Sequence, residues 1–413
     1  MVRVLVASLF FLPTVASAAT VCVNTTGTGG CFPTIQQGVD AAVSGDTVDV
    51  AAGTYFEHVV VAKNKRVRLQ GAGPEATLID GNGVGTVLKI KAPNPKMTVA
   101  GVGIQNGRRG LAFGKQVKLS VSDCAITGNV GEGGISGDGA GSNVTVARCT
   151  ISGNSSTLTG GGIRVVSSSL RVKARVKVVS STVRGNAAAI RGGGIFVEGK
   201  LTLIGSSVDD NSAEHSGGGI FANDLTVVAS TISRNMTLGG GQAITGGGGI
   251  RAGSATIRNS TISGNAAIGS EGVGGGLAAG HLRLEHATIA NNTAEAEGGG
   301  ISARRMTLRA SLIGDNSAPS GSDCSSDEGR GFGVNLIEDT TSCAVTASGQ
   351  GVVLSADPML GPLQNNGGTT ETQALLAGSP AIGVVTTTAL CKAPDQRGEA
   401  RAVPCDLGAY EAP

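Results

Sequence analysis

The chain has no tryptophan, two tyrosines and an aromatic content of 2% over 413 residues. Rings are the flat side chains that stack on sugars and bases, so a ring-built platform for either is not expected. Charge is also sparse. Charged residues make up 15% of the chain and the formal net charge is +2, which exerts no global pull towards nucleic acid or membrane. None of the eight cysteines forms the C-x-x-C pair of a zinc site. After the opening residues, no apolar run is long enough to span a bilayer.

What is abundant is glycine, 68 residues of it, well above the usual share of about 7% and without a collagen-like triplet period. Glycine between short apolar segments points to many tight bends. The opening "MVRVLVASLFFLPTVASAAT" has the layout of a secretory leader: Arg3, an apolar run from Val4 to Leu12, and the small-residue site Ala16-Ser17-Ala18. Residues 1–18 are therefore assigned as a signal peptide. The mature chain is expected outside the cytoplasm, extracellular or at the cell surface, with the periplasm as the other compartment. Eight cysteines in an exported chain suit disulfides, and four neighbour pairs suggest themselves: Cys22–Cys31, Cys124–Cys149, Cys324–Cys343 and Cys391–Cys405.

One phrase recurs: "ISGNSSTLTGGGIRV" from Ile151, "VDDNSAEHSGGGIFA" from Val208, "IANNTAEAEGGGISA" from Ile289. The residue after each glycine run serves as an origin: Ile163, Ile195, Ile220, Ile250, Leu277 and Ile301, with Ile135 a weaker early member. From Ile220 to Asn235 is 15 residues, and Ile250 to Asn265, Leu277 to Asn292 and Ile301 to Asn316 repeat that length. The return from Asn to the next origin varies, 9 residues after Asn154 and 15 after Asn235. Inside the fixed arm, Leu225, Ala255, Leu282 and Met306 share one place, Val227, Ile257, Leu284 and Leu308 a second, and Ile232, Ile262, Ile289 and Ile313 a third. Apolar residues two apart indicate strands. Short strands at a repeat of roughly 24 to 32 residues indicate a solenoid, whose coils bury their apolar faces only by stacking. Equivalent residues then form columns about 4.8 Å apart, with isoleucine inside and asparagine as a hydrogen-bonded ladder. The fold class is all-β, a single-stranded parallel β-helix.

The pattern resembles right-handed parallel β-helix proteins of the pectin-lyase-like type. The pair "GGGI" and "I-x-x-N" from Ile104 to Asn316 is also similar to the repeats of polymorphic outer-membrane proteins, with Gly for Ala and Ile or Val for Phe. The stretch from Pro33 to Gly81 resembles the opening of many β-helices, pectin methylesterases among them. Its Ile35, Val39 and Ala42 fall on one helical face, giving a short N-terminal capping helix within residues 19–45. Coils are expected over 46–350. The remainder, 351–413, with "DPMLGPLQNNGGTTETQALLAGSPAIGVV" and "CKAPDQRGEARAVPCDLGAYE", resembles the choice-of-anchor Q segment that ends many secreted bacterial β-helix proteins. That resemblance implies an irregular C-terminal cap and a surface or secreted destination.

Chemistry is harder to find. No column of acids appears. The best local candidate is Asp209-Asp210, where the register sets Asp209 level with Arg184 and Asp210 level with Arg234. It reads either as a mixed-charge catalytic patch or, preferred here, as ion pairs across coils on an outer face. "LRVKARVKVV" places Arg171, Lys173, Arg175 and Lys177 on one strand face, opposite Val172, Ala174, Val176 and Val178. This is a docking stripe for acidic polysaccharide or cell-surface components, or else a solvated strand that discourages wrong pairing. His58, His281 and His286 lack partnering motifs and read as surface residues. No metal or cofactor site is assigned, and nucleic acid is not expected as a partner. Three function classes remain: a structural or adhesin-like scaffold with carbohydrate or surface binding, which is preferred; a pectin-lyase-like lyase or glycoside hydrolase; and a partner-binding module that uses the loops of the variable arm.

Overall fold

The computed structural model describes residues 18–169, 172–239 and 246–413. The expected leader, apart from Ala18, lies outside them. Up to Leu354 the described residues form a parallel β-solenoid whose coils pair strand on strand, with register shifts at a few places. The origin column runs Ile135, Ile163, Ile195, Ile220, Ile250, Leu277, Ile301. The third column runs Ile126, Ile151, Val183, Val208, Ile232, Ile262, Ile289, Ile313. All of these side chains are buried, because period-two alternation sends them inward while their neighbours point to the outer face of the coil.

The repeat's asparagine and glycines prove to be one device. Asn129, Asn154, Asn186, Asn211, Asn235, Asn265, Asn292 and Asn316 stack inside the coil. Each side-chain amide donates to the carboxamide oxygen of the next at 2.9–3.0 Å. The third glycine of each run leaves room for that carboxamide: a Cβ on Gly219 would lie 2.7 Å from Asn235 Cγ. The first, Gly217 with φ +61°, takes the left-handed turn. The ladder ends on Asp323, which accepts from both the backbone N–H and the side chain of Asn316. A carboxylate has no N–H to pass on.

A second inward ladder explains a correction. Cys22–Cys31, Cys324–Cys343 and Cys391–Cys405 are bonded as expected, but Cys124 and Cys149 are free buried thiols. They sit in the serine column. Each Sγ hydrogen-bonds back to the carbonyl two residues earlier, Ser122 at 3.1 Å and Ala147 at 3.3 Å, as Ser181, Ser206, Ser230, Ser260 and Ser311 do with Oγ. In-register parallel stacking holds Cβ vectors side by side at about the 4.8 Å strand spacing, outside the ~3.5–4.5 Å that a disulfide needs. The bonded Cys343, by contrast, pairs in register with Ser326 rather than with Cys324, so its vector converges on its partner.

At the first end, strand β1 (Thr20–Val23) pairs with β2 (Thr47–Val50). Helix α1 (Ile35–Ala41) buries Ile35 and Val39 in the main core, and its N-cap Thr34 Oγ1 accepts from Gln37 N–H at 3.2 Å. The C-terminal segment packs on the flank of the later coils. The last coil strand runs to Leu354, and the chain then turns back along the flank. There it contributes a small antiparallel pair, Leu360–Gln364 with Thr372–Leu375, and a satellite core with Leu407 and Tyr410 against Leu312 and Leu336. Thr231, Thr261 and Thr288 are buried beneath it. Gln396 accepts from Thr261 Oγ1 at 2.8 Å and donates to Thr231 Oγ1 at 2.9 Å, and Ala409 N–H donates to Thr288 Oγ1 at 2.9 Å. The segment's own polar core is Arg401, Glu411, Asp395 and Arg397. Arg401 pairs with Glu411 at 3.0 Å, and the Arg397 guanidinium stacks 3.8 Å from the Tyr410 ring centre.

Candidate functional site

A concave surface lies along the corner that follows each origin strand. The inward residue at this corner is Val165 and Val197 in earlier coils, but Ala222, Ala252, Ala279 and Ala303 in later ones. Gly253 and Gly280 follow the alanines. Small side chains on both sides of the backbone hollow the corner into a cleft of about 780 Å³. It crosses several coils along the axis. Arg251, Arg304, His281 and Lys173 line it with Asp224, Glu297 and Asn223. The Ser325 hydroxyl hydrogen-bonds Glu297 in its wall. Phe221, at one side, stacks on Phe196 with ring centres 5.1 Å apart, and the Arg191 guanidinium sits 5.3 Å over it. Burial, reinforced by Arg191, pushes the Arg251 guanidinium below its ordinary pKa, which marks a cation with little compensating negative charge nearby. Of these residues, sequence singled out only Lys173, in the basic stripe, and His281, as a surface residue. The signal for the cleft was the valine-to-alanine change along one inward column.

The basic stripe is partly as expected. Lys173, Arg175 and Lys177 are exposed, while Arg171 lies outside the described residues. Ala174, Val176 and Val178 face the core, but the strand begins at Ala174 and Val172 is 55% exposed, so the alternation does not reach it. The structure adds Lys118 and Lys200, which stand in the Arg175 column with Asn143. Among the described residues, none of Lys118, Lys173, Arg175, Lys177 or Lys200 has an acidic partner within 4.0 Å. Asn143, Thr145 and Thr202 complete a shallow depression of about 230 Å³ here. Lys200 in the depression is in register with Asp224 in the cleft, so the two surfaces adjoin.

Asp209, Asp210 and Arg234 do meet, and a residue from the tail joins them. Arg234 lies 3.3 Å from Asp209, 3.6 Å from Asp210 and 3.1 Å from Glu371. Arg184 is in register with Asp209 but makes no ion pair with it. Burial first, then the Asp210 charge, raises the Asp209 carboxyl pKa. The group is an ion-pair clamp between a coil and the tail. His58 and His281 are exposed, but His286 is buried under the tail, contrary to the surface reading. Asp315, Glu338 and Asp357 gather with carboxylate oxygens within 4.8 Å of one another. Burial and then Glu338 raise the Asp315 pKa. These are hard oxygen donors of the kind that suit a divalent cation.

Residues 77–220 match the family model described as "Right handed beta helix region". The matched residues lie within the parallel β-solenoid, from the strand that begins at Thr77 to the origin residue Ile220. Among solved structures, a pectate lyase crystal structure aligns over 97% of this chain and 98% of its own, at 14% identity and a TM-score of 0.38. A structure titled as an open reading frame of Geobacillus virus E2 aligns over 77% of this chain and 62% of its own, with the same identity and TM-score. No curated protein matches the sequence. Three disulfides indicate an oxidising environment. Among the described residues, no helix is long and apolar enough to cross a membrane.

Proposed function

We propose that the protein is an exported β-helix scaffold that binds an extended acidic polysaccharide at a cell surface without turning it over. The observation that carries this reading is the run of five cations without acidic partners, Lys118, Lys173, Arg175, Lys177 and Lys200, leading into an axial cleft lined by Arg251, Arg304 and Asn223. Like charges in register repel: Arg175 stands directly beside Lys200. A polyanion lying across that pair relieves the repulsion. The tail's resemblance to choice-of-anchor Q segments and the resemblance of the coils to outer-membrane protein repeats support the surface destination. Helix α1 serves as the cap of the first coil.

Carboxylates in the cleft favour one second reading. Asp224, Glu297 and Asp327 line it beside arginines, which are the residue types a lyase or hydrolase of the pectin-lyase type employs. The deciding experiment incubates the protein with polygalacturonate, alginate and a neutral glucan, and measures both binding and new chain ends. Salt-sensitive binding to the two uronates with no new ends supports the scaffold. Release of unsaturated or reducing ends supports the enzyme. Absence of binding to all three removes the polysaccharide reading.

A further inference from the structure

The two ends of the stack are finished differently. At the first end the outer edge of β1 is occupied: Phe32 N–H donates to Cys22 O at 2.9 Å and Asn24 N–H donates to Phe32 O at 3.0 Å, with Cys22–Cys31 tying that segment down. At the other end, among the described residues, the closing strand Cys343–Leu354 pairs with Cys324–Ile337 and with no other strand. Its sequence, CAVTASGQGVVL, carries no charge and no proline over 12 residues. Charge and proline are two of the devices that normally stop an edge from pairing; the register shifts that interrupt the strand's own pairing leave two regular stretches, Val345–Ser348 and Val352–Leu354, as the free edge. The strand is anchored by Cys324–Cys343 and by Thr346 Oγ1 donating to Gly329 O at 3.3 Å. Val345 and Val353 pack against the core while staying partly exposed, and Val352 is 46% exposed.

We propose that this edge is a homodimer interface, in which two copies pair their closing strands antiparallel across a two-fold axis, end to end. The partner is a second copy because of what two-fold pairing demands. In an isologous contact, residues near the axis face their own symmetry mates, so any charge there opposes its like. A strand neutral along its whole length satisfies that demand, whereas pairing with a foreign strand would not require it. Because the first end is already covered, assembly stops at two. The proposal does not rest on the polysaccharide reading.

The test is sedimentation equilibrium on the full mature chain, compared with an Ala344→Lys/Ala347→Lys variant; both positions are exposed. The wild type is expected to sediment as a concentration-dependent dimer and the variant as a monomer with unchanged circular dichroism and Tm. Should that variant misfold, Val352→Lys, at a side chain already half in solvent, provides the same comparison. A Phe56→Lys control, at a 70% exposed residue of an early coil, should leave the dimer intact. A wild type monomeric at the highest soluble concentration, a folded variant that stays dimeric, or growth beyond two copies would each overturn the proposal.

Discussion

The imidazole Nε2 of His286 lies 3.0 Å from the carbonyl oxygen of Leu390, so one side chain at a coil corner joins residues 104 positions apart. Burial, and then the Arg401 charge, pushes its pKa from 6.5 to about 4. A base whose folded pKa is depressed leaves the folded state with fewer protons than the unfolded chain between those two values, so stability falls as pH drops through that window. The loss from this residue amounts to about 3 kcal/mol when complete. Asp209, Asp315 and Asp323 have raised pKa values and act in the opposite sense, gaining stability as they protonate. The comparison that isolates His286 is therefore wild type against His286→Gln. Thermal unfolding from pH 7 to pH 4 should show a steeper decline for the wild type, and parallel curves would refute the assignment.

Asn235 and Gly219 should behave as a unit. Asn235→Ala removes the acceptor for the Asn211 backbone N–H and side chain inside a closed stack, at a cost of about 1–3 kcal/mol per group left unsatisfied. Gly219→Ala drives a Cβ into the Asn235 carboxamide and should cost about 1–3 kcal/mol by overpacking. In the double variant the carboxamide is gone, so the loss should be smaller than the sum. Urea unfolding of the four proteins checks this. Strict additivity would mean that the glycine and asparagine columns are independent.

Ile262 is fully buried in the middle of its column. Ile262→Ala should destabilise by about 2–5 kcal/mol, because stacked neighbours on both sides prevent the site from collapsing. Differential scanning calorimetry should show a lower Tm, and no change would place the residue outside the core.

Cys124 and Cys149 should both be recovered as free thiols in non-reducing peptide maps, protected from alkylation until denaturant is added. The other six cysteines should map to the three bonded pairs. A Cys124–Cys149 cross-link in native protein would show that the strands approach more closely than parallel stacking allows.

How much of this was readable beforehand follows from how a β-helix is built. Ile220, Ile250 and Leu277 could be aligned by counting, because in-register parallel stacking turns equal position in the repeat into contact in space. The isoleucine columns and the Asn235-type ladder needed only that rule, while the Cys22–Cys31 and Cys391–Cys405 bonds were legible from their closeness in sequence. The same rule misled at Cys124 and Cys149, where closeness of the chain was legible and the direction of the Cβ vectors was not.

The sequence by itself determined the coil, its register and what each coil buries, since those depend on neighbours one repeat away. Tertiary structure alone decided what covers the outside. Thr150 and Thr261 hold equivalent places, yet Thr150 is exposed and Thr261 is buried, 135 residues in sequence from the Gln396 that binds it. Nothing local separates the two threonines; only the path of the returning tail does. The cleft has the same origin: Arg251, Arg304 and Lys173 come from coils far apart in the chain, and their approach depends on how deeply a row of alanines lets the corner sink.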